Sequence, residues 1–307
     1  MAVRVLNMLG SGAATAIAAV DGVEVIEVGP EIPDDLTGDV LFAAWTEHPI
    51  FGRLDVIGVD WMHLPGTGID SWPRQLLTGR TVTCSRGVSG IPIAEFVLAS
   101  MLAFEKRFPR MWLQEPPKHW NIANIDEIGG KTLGLVGLGG IGIEVARRAL
   151  AFDMRVVAVR RTGAPAPTAG IEIVSGLDDL LPVADHLVLA APATPRTQYL
   201  LDDETFARVK PGVHLVNIAR GSLVDQDALR RALDDERVAL ASLDTVDPEP
   251  LPAGHWLYEH PRVHLSAHVS WGSRRAFDRI LESFVDNLRR YTTGAPLAGI
   301  IDVDEGY

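Results

Sequence analysis

The sequence predicts an α/β protein whose parallel sheets carry helices between their strands, and three observations predict it. Strand-length apolar runs alternate with helical patterns along the chain. A complete glycine motif, Gly137-Leu138-Gly139-Gly140-Ile141-Gly142, stands between one such run and one such helix. The 307 residues suffice for two domains, each large enough to bury a core.

Taken in order, Val3 to Met8 reads as a first strand, followed by an alanine-rich helix, a second strand from Val23 to Val28 and a third from Asp39 to Trp45. Leu54 to Gly58 and Trp61 to Leu64 are further short strand candidates. After the latter, Gly66-Thr67-Gly68-Ile69-Asp70 is either a plain turn or a loop that presents backbone N–H groups to a ligand. Thr81 to Cys84 is another strand. Ile91 to Phe108 is helical, with Ile93, Phe96, Val97, Met101 and Phe104 on one apolar face. Pro109, Pro116 and Pro117 end that pattern, and a domain boundary falls near residue 90.

Thr132 to Val136 has the composition of a strand buried on both faces and leads into the glycine motif. Gly137 allows the tight turn, Gly139 lets a pyrophosphate approach the backbone, and Gly142 lets the following helix pack closely. The helix N-terminus then offers free N–H groups and its positive dipole end to phosphates. After a helix through Ala151 comes the strand Met154 to Val159, whose end would carry an acidic side chain in a site selective for a ribose hydroxyl. Arg160-Arg161-Thr162 stands there instead. A guanidinium fork matches a 2′-phosphate, so these residues point towards NADP(H), with two solvated arginines as the alternative. Strands at Ala184–Ala190, His214–Ile218, Val238–Asp244 and Val263–Ser266 alternate with helices at Asp203–Val209 and Asp225–Asp234. A long amphipathic helix, Trp271 to Tyr291, and a short tail, Gly299 to Val303, close the chain.

Composition narrows the function classes. A net charge of −12 disfavours nucleic acid and anionic membranes as partners, so an anionic ligand would be held by local arginines or oriented N–H groups. The single cysteine, Cys84, can form no internal disulfide, which fits a reducing cytoplasm; its expected role is a small buried hydrophobe, not a nucleophile. The opening residues lack a cleavage pattern and no run approaches 18 apolar residues, so neither a signal peptide nor a membrane span is expected. The nine histidines show no metal-ligand spacing, and no metal is expected.

Three polar residues fall at strand ends in the second half: Arg220 after VNIA, Glu249 after ALASLDTVDP and His268 after VHLSA. Each alone is more often a surface charge or a structural histidine; they converge only if a doubly wound sheet brings those ends to one crevice. The ordered set GLGGIG at 137–142, NIARGSLVDQDAL at 217–229, LDTVDPEPLP at 243–252 and SAHVSWGS at 266–273 resembles the D-isomer-specific 2-hydroxyacid dehydrogenase family. The likeness extends to GTGID at 66–70 and SRGVSGIPIAEFVL at 85–98. The arginines at 160 and 161 are most similar to those of its glyoxylate and hydroxypyruvate reductases.

The resemblance implies two Rossmann-like domains with parallel sheets. A cofactor domain at 91–271 would be inserted into a flavodoxin-like substrate domain made of 1–90 and 272–307. It implies a homodimer, joined largely through the cofactor domains with the Ile91–Phe108 helix contributing. It implies that Arg220 binds the substrate's carboxylate and carbonyl oxygen, and that His268 gives that oxygen a proton as hydride arrives. Glu249 would orient His268 and favour its protonated form. Thr67 and Gly68 would hold the carboxylate through their N–H groups. Gly139, Gly140 and Ile141 would cradle the pyrophosphate between Gly137 and Gly142, with Pro192, Thr197 and Ala219 as further cofactor contacts and Asp244 bonding the nicotinamide carboxamide. The cofactor would be NADP, with NAD possible, and the substrate a small 2-oxo or 2-hydroxy acid.

Alternatives on the same fold are a formate or phosphite dehydrogenase and a nucleotide-sensing corepressor. A formate enzyme is expected to replace the acidic partner of the histidine, and a corepressor to carry a disordered partner-binding tail or a basic surface run. Trp271 is bulkier than expected so close to His268; it, Trp45 and Trp61 either shape the site or pack in the core.

Overall fold

The computed structural model describes residues 2–44, 47–121, 124–162 and 164–306. In chain order the elements are β1 Val3–Asn7, α1 Ser11–Ala18, β2 Val23–Glu27, β3 Val40–Phe42, α2 Leu54–Ile57, β4 Trp61–Leu64, α3 Arg74–Leu77 and β5 Thr81–Cys84. There follow α4 Gly90–Lys106, β6 Thr132–Val136, α5 Gly140–Ala151, β7 Arg155–Val159, β8 Ile171–Ile173, α6 Leu177–Leu180, β9 His186–Leu189 and α7 Asp203–Phe206. The last are β10 Val213–Asn217, α8 Gln226–Asp234, β11 Val238–Leu243, β12 Val263–Leu265 and α9 Ala276–Thr293. They divide into two compact units, Met1–Val88 with Ser273–Tyr307, and Ser89–Gly272.

The first unit carries a five-stranded sheet in the order β2-β1-β3-β4-β5 with every pair parallel. This is the flavodoxin-like order, in which the chain reverses direction across the sheet between β1 and β3. One face buries Leu41, Met62, Leu64, Trp72 and Cys84. The other packs Phe42 and Trp61 against Phe284 of α9, with the Phe42 and Phe284 rings stacked at 4.0 Å. Trp61 is fully buried and its indole N–H donates to Thr83 Oγ1 at 2.8 Å, so it is a core residue and not a pocket wall. Cys84 is likewise buried, and burial pushes its thiol up from its ordinary range. Trp45 lies outside the described residues.

The second unit carries seven parallel strands in the order β12-β11-β10-β9-β6-β7-β8. β6 is the first strand of this unit and pairs on one side with β7 and on the other with β9. The winding therefore reverses at β6, and the crevice at its carboxyl end is the expected place for a ligand. The apolar residues Ile93, Val97 and Met101 of α4 are spent inside this unit against Leu133, Leu135 and Val145.

Several elements differ from the sequence reading. Leu54–Ile57 is a helix and not a strand; a four-residue apolar run has no period to separate the two states, and Gly58 at φ 90° closes it with a left-handed cap. The last long helix begins at Ala276, because 271–275 form turns. β8 carries no strong apolar run and was not evident in sequence. The tail is not loose: Gly299 and Ile301 exchange backbone hydrogen bonds with β5 at 3.0 and 2.9 Å, and Ile300 bridges antiparallel to Thr83. No helix among the described residues is long and apolar enough to cross a membrane.

Candidate active site

The glycine motif occupies the carboxyl end of β6. Gly137 sits at φ 103°, and a β-carbon there would meet the carbonyl oxygen of Ala190, after β9, at 2.6 Å. Gly142 packs the first turn of α5 on the loop so closely that a β-carbon would lie 2.3 Å from the Gly137 oxygen. Gly139 is different. It caps α5 without a side-chain hydrogen bond, and a β-carbon built on it meets nothing within 4 Å. Two glycines are thus required by the protein's own packing, while the third faces open space above a helix N-terminus. That cradle fits a pyrophosphate.

At the end of neighbouring β7, the Arg160 guanidinium donates to the carbonyl of Pro165 at 3.0 Å and reaches that of Ala164 at 3.4 Å. Arg161 and Thr162 are exposed beside it. Beyond β9, the Thr197 hydroxyl lies 2.8 Å from the Pro192 carbonyl and accepts the Thr194 N–H at 2.8 Å, so both predicted residues brace one loop.

The three polar candidates emerge from the ends of β10, β11 and β12, adjacent strands in the sheet. Arg220 follows β10, and Ala219 beside it is buried. Glu249 Oε2 lies 2.8 Å from His268 Nδ1, while its Oε1 accepts the Val246 N–H at 3.0 Å. Burial works against the Glu249 charge. The hydrogen bonds from His268 and Val246, with the charges of His268 and Arg220, outweigh it and hold the carboxyl below its usual range. His268 adopts φ 52°, a left-handed conformation that costs a histidine free energy and persists only under external constraint.

Asp244 supplies that constraint. Its backbone oxygen accepts the His268 N–H at 2.8 Å. Its carboxylate takes the Ser266 hydroxyl at 2.5 Å and the N–H groups of Val269 and Ser270 at 2.9 Å each. Burial opposes the Asp244 charge too, and these donors prevail, keeping it below the ordinary carboxylate range. The sequence reading cast Asp244 as a cofactor contact alone and missed this clamp. Its signal was the recurrence of short polar residues at 266 and 270 around the histidine. Trp271 lies half-exposed, with its indole N–H donating to the His268 carbonyl at 3.0 Å, and so adds a further tie to the same turn. Beside the pair is a cavity of about 580 Å³ whose apolar wall is Pro250, Leu251, Tyr258 and Leu265.

In the first unit, Thr67 and Gly68 lie just past the carboxyl end of β4, Thr67 exposed and Gly68 half-buried. Among the described residues no group of three or more histidine, cysteine, aspartate or glutamate side chains could hold a metal ion.

Residues 98–270 match the family model described as D-isomer specific 2-hydroxyacid dehydrogenase, NAD binding domain. The D-3-phosphoglycerate dehydrogenase of Rattus norvegicus is 32% identical over 276 residues, covering 87% of this chain and 49% of that protein. The chain thus spans about half the length of the curated relatives it matches. Two crystal structures superpose over 100% of both chains. One is a D-isomer specific 2-hydroxyacid dehydrogenase from Xanthobacter autotrophicus Py2 in complex with NADPH and MES, at TM-score 0.86 and 24% identity. The other is an NADPH-dependent glyoxylate/hydroxypyruvate reductase from Sinorhizobium meliloti in complex with NADP and sulfate, at TM-score 0.85 and 22% identity. At these identities the two superpositions speak for the fold.

Proposed function

Because the chain belongs to the D-isomer specific 2-hydroxyacid dehydrogenase family, we propose that it is a cytoplasmic, NADP(H)-preferring reductase. It would convert a small 2-oxo acid of the glyoxylate or hydroxypyruvate type to the D-2-hydroxy acid. The observation that carries this reading is the 2.8 Å Glu249–His268 pair beside Arg220, at the carboxyl ends of adjacent strands. The nicotinamide, when bound, supplies the hydride. The residues that would hold the dinucleotide are the Gly137–Gly142 turn for its pyrophosphate and Arg160 and Arg161 for a 2′-phosphate, with Pro192, Thr197, Ala219 and Asp244 along the remainder.

Arg220 binds the carboxylate and the reacting carbonyl oxygen of the substrate, polarising the carbonyl and fixing the direction of attack. Because Nδ1 of His268 is turned to Glu249, Nε2 is the ring nitrogen that gives its proton to that oxygen. Glu249 keeps the ring oriented. Residues 1–90 with 272–307 serve as the substrate domain, 91–271 as the cofactor domain, and the N–H groups of Thr67 and Gly68 hold the carboxylate. A homodimer is part of the proposal. It is supported by exposed Phe108, Met111, Trp112, Leu113, Trp120 and Ile125, a run of large apolar side chains that water alone covers poorly.

The test is the initial rate of NADPH and of NADH oxidation with glyoxylate, hydroxypyruvate, pyruvate and a bulkier 2-oxo acid, and of NAD(P)⁺ reduction with D-3-phosphoglycerate. Faster NADPH turnover that is lost in Arg160→Gln/Arg161→Gln supports the full reading. NADH preference removes the cofactor assignment, and activity confined to D-3-phosphoglycerate replaces the substrate.

A further inference from the structure

We propose that Asn217 and Gly221 are positioning residues that set Arg220 against the Glu249–His268 pair, an inference that rests on the 2-oxo-acid reading above. Asn217 ends β10 and is 1% exposed. Its Oδ1 accepts the Ala219 N–H at 3.0 Å, and its Nδ2 donates to the Arg220 carbonyl at 2.8 Å. One side chain therefore closes the turn on both sides of Ala219 and fixes the backbone from which the arginine projects. The Asn217 carbonyl also accepts the Asp244 N–H at 2.9 Å, tying this turn to the residue that clamps the His268 turn.

Gly221 acts from the other side. Its φ is not in the left-handed region, so the need for glycine is one of space. A β-carbon would lie 1.9 Å from the Val246 carbonyl carbon, 2.1 Å from its oxygen and 2.4 Å from the Asp247 nitrogen. These are backbone atoms, and no rotamer change relieves the clash. The residue after Arg220 thus rests directly on the Val246–Asp247 peptide. Val246 in turn gives its N–H to Glu249, and Glu249 holds His268. Gln226 fastens the next peptide by donating from Nε2 to the Asp247 carbonyl. The carboxylate-binding arginine and the acid–base pair, which come from different strands, share one backbone reference at this contact. Any side chain at 221 pushes one away from the other.

The experiment compares Gly221→Ala and Asn217→Ser with wild type for kcat and KM on the preferred 2-oxo acid, for NADPH affinity by fluorescence titration and for thermal unfolding. Misplacement by about 1 Å should lower kcat/KM about a hundredfold in Gly221→Ala, and about tenfold in Asn217→Ser, where only the turn loosens. A raised KM for the oxo acid with NADPH affinity within about twofold is the expected signature. An unchanged KM, with kcat falling only in proportion to folded protein, overturns the proposal. Should Gly221→Ala not fold, Asn217→Ser decides on the same criterion. If the wild type turns over no oxo acid, the activity reading falls, and the crystal structure of the variant decides positioning. Arg220 and Glu249 moved apart sustain the contact's role, and unmoved side chains refute it.

Discussion

Two glutamate–histidine pairs of the second unit have similar separations and opposite surroundings. Glu105 Oε1 and His186 Nε2 lie 3.0 Å apart with side chains only 3% and 0% exposed. Glu249 and His268 lie 2.8 Å apart at 35% and 40% exposure. The sealed pair faces without hydrogen-bond alignment, and its members are bound into a longer chain. Lys131 reaches the other Glu105 oxygen at 2.7 Å, His186 Nδ1 meets His214 Nδ1 at 3.1 Å, and His214 Nε2 meets Ser242 Oγ at 2.9 Å. Burial opposes the Glu105 charge, but His186 and Lys131 hold the carboxyl below its usual range. Burial, reinforced by the charge of His186, pushes the His214 imidazole well below its own. This network links α4 to β9, β10 and β11, and both of its histidines are fully buried. The same two residue types make an acid–base site only where one ring nitrogen stays open to the crevice.

The comparison breaks if the wrong pair carries activity. His268→Ala should lower kcat about a thousandfold, within the range for loss of a general acid, while NADPH affinity measured by titration stays within about twofold. Unchanged turnover would sink the assigned role.

Glu105→Gln tests the sealed pair. Removing one partner of a buried charge network should cost about 3 kcal/mol of unfolding free energy, read by denaturant titration, with kcat per folded molecule unaltered. A large loss of kcat without loss of stability would erase the distinction between the pairs.

Glu249→Gln should fall between these, lowering kcat about thirtyfold, because the imidazole loses the carboxylate that orients it. A kcat per folded molecule that does not change would reduce Glu249 to a structural prop.

A pH-dependent effect is expected at the buried histidine of the first unit. His63 is bonded to Thr83 and Ser85 at 2.7 and 3.1 Å and is lowered by burial to about 3 from 6.5. A histidine depressed in the folded state is neutral there while the unfolded chain takes up a proton. Its contribution to stability is therefore full above about pH 6.5 and is lost as pH falls towards about 3. The His63 ring should tilt the unfolding free energy by about 1.4 kcal/mol per pH unit in that window. His63→Gln should remove one share of the slope measured between pH 6 and pH 4; an identical slope would mean the ring is not sealed.

Much of this was legible in the residues because it depends on local pattern. GxGxxG between an apolar run and a helix specifies a strand, a turn and a helix within one stretch, and the motifs around Arg220, Glu249 and His268 lie at strand ends that any doubly wound sheet collects together. Asp225, read at a helix start, caps α8 through its side chain, and Asp202, one residue before the start read for α7, caps that helix. What failed was short or long-range. Leu54–Ile57 was too brief to show a period, β8 exists because β7 offers it an edge, and the tail is held by β5, more than 200 residues earlier.

The sequence by itself determined the two-unit α/β architecture, the family and the identity of the polar residues at the strand ends, since these follow from periodicity and from residue types at fixed spacing. Only the tertiary structure showed what surrounds each carboxylate. Asp244 holds the His268 turn, Glu105 is sealed in the core and Glu249 is left beside a half-exposed imidazole. It alone showed that Gly221 is there for space against Val246. The reason is physical: a carboxylate's role is set by burial and by the donors that surround it, and those come from strands distant in the chain.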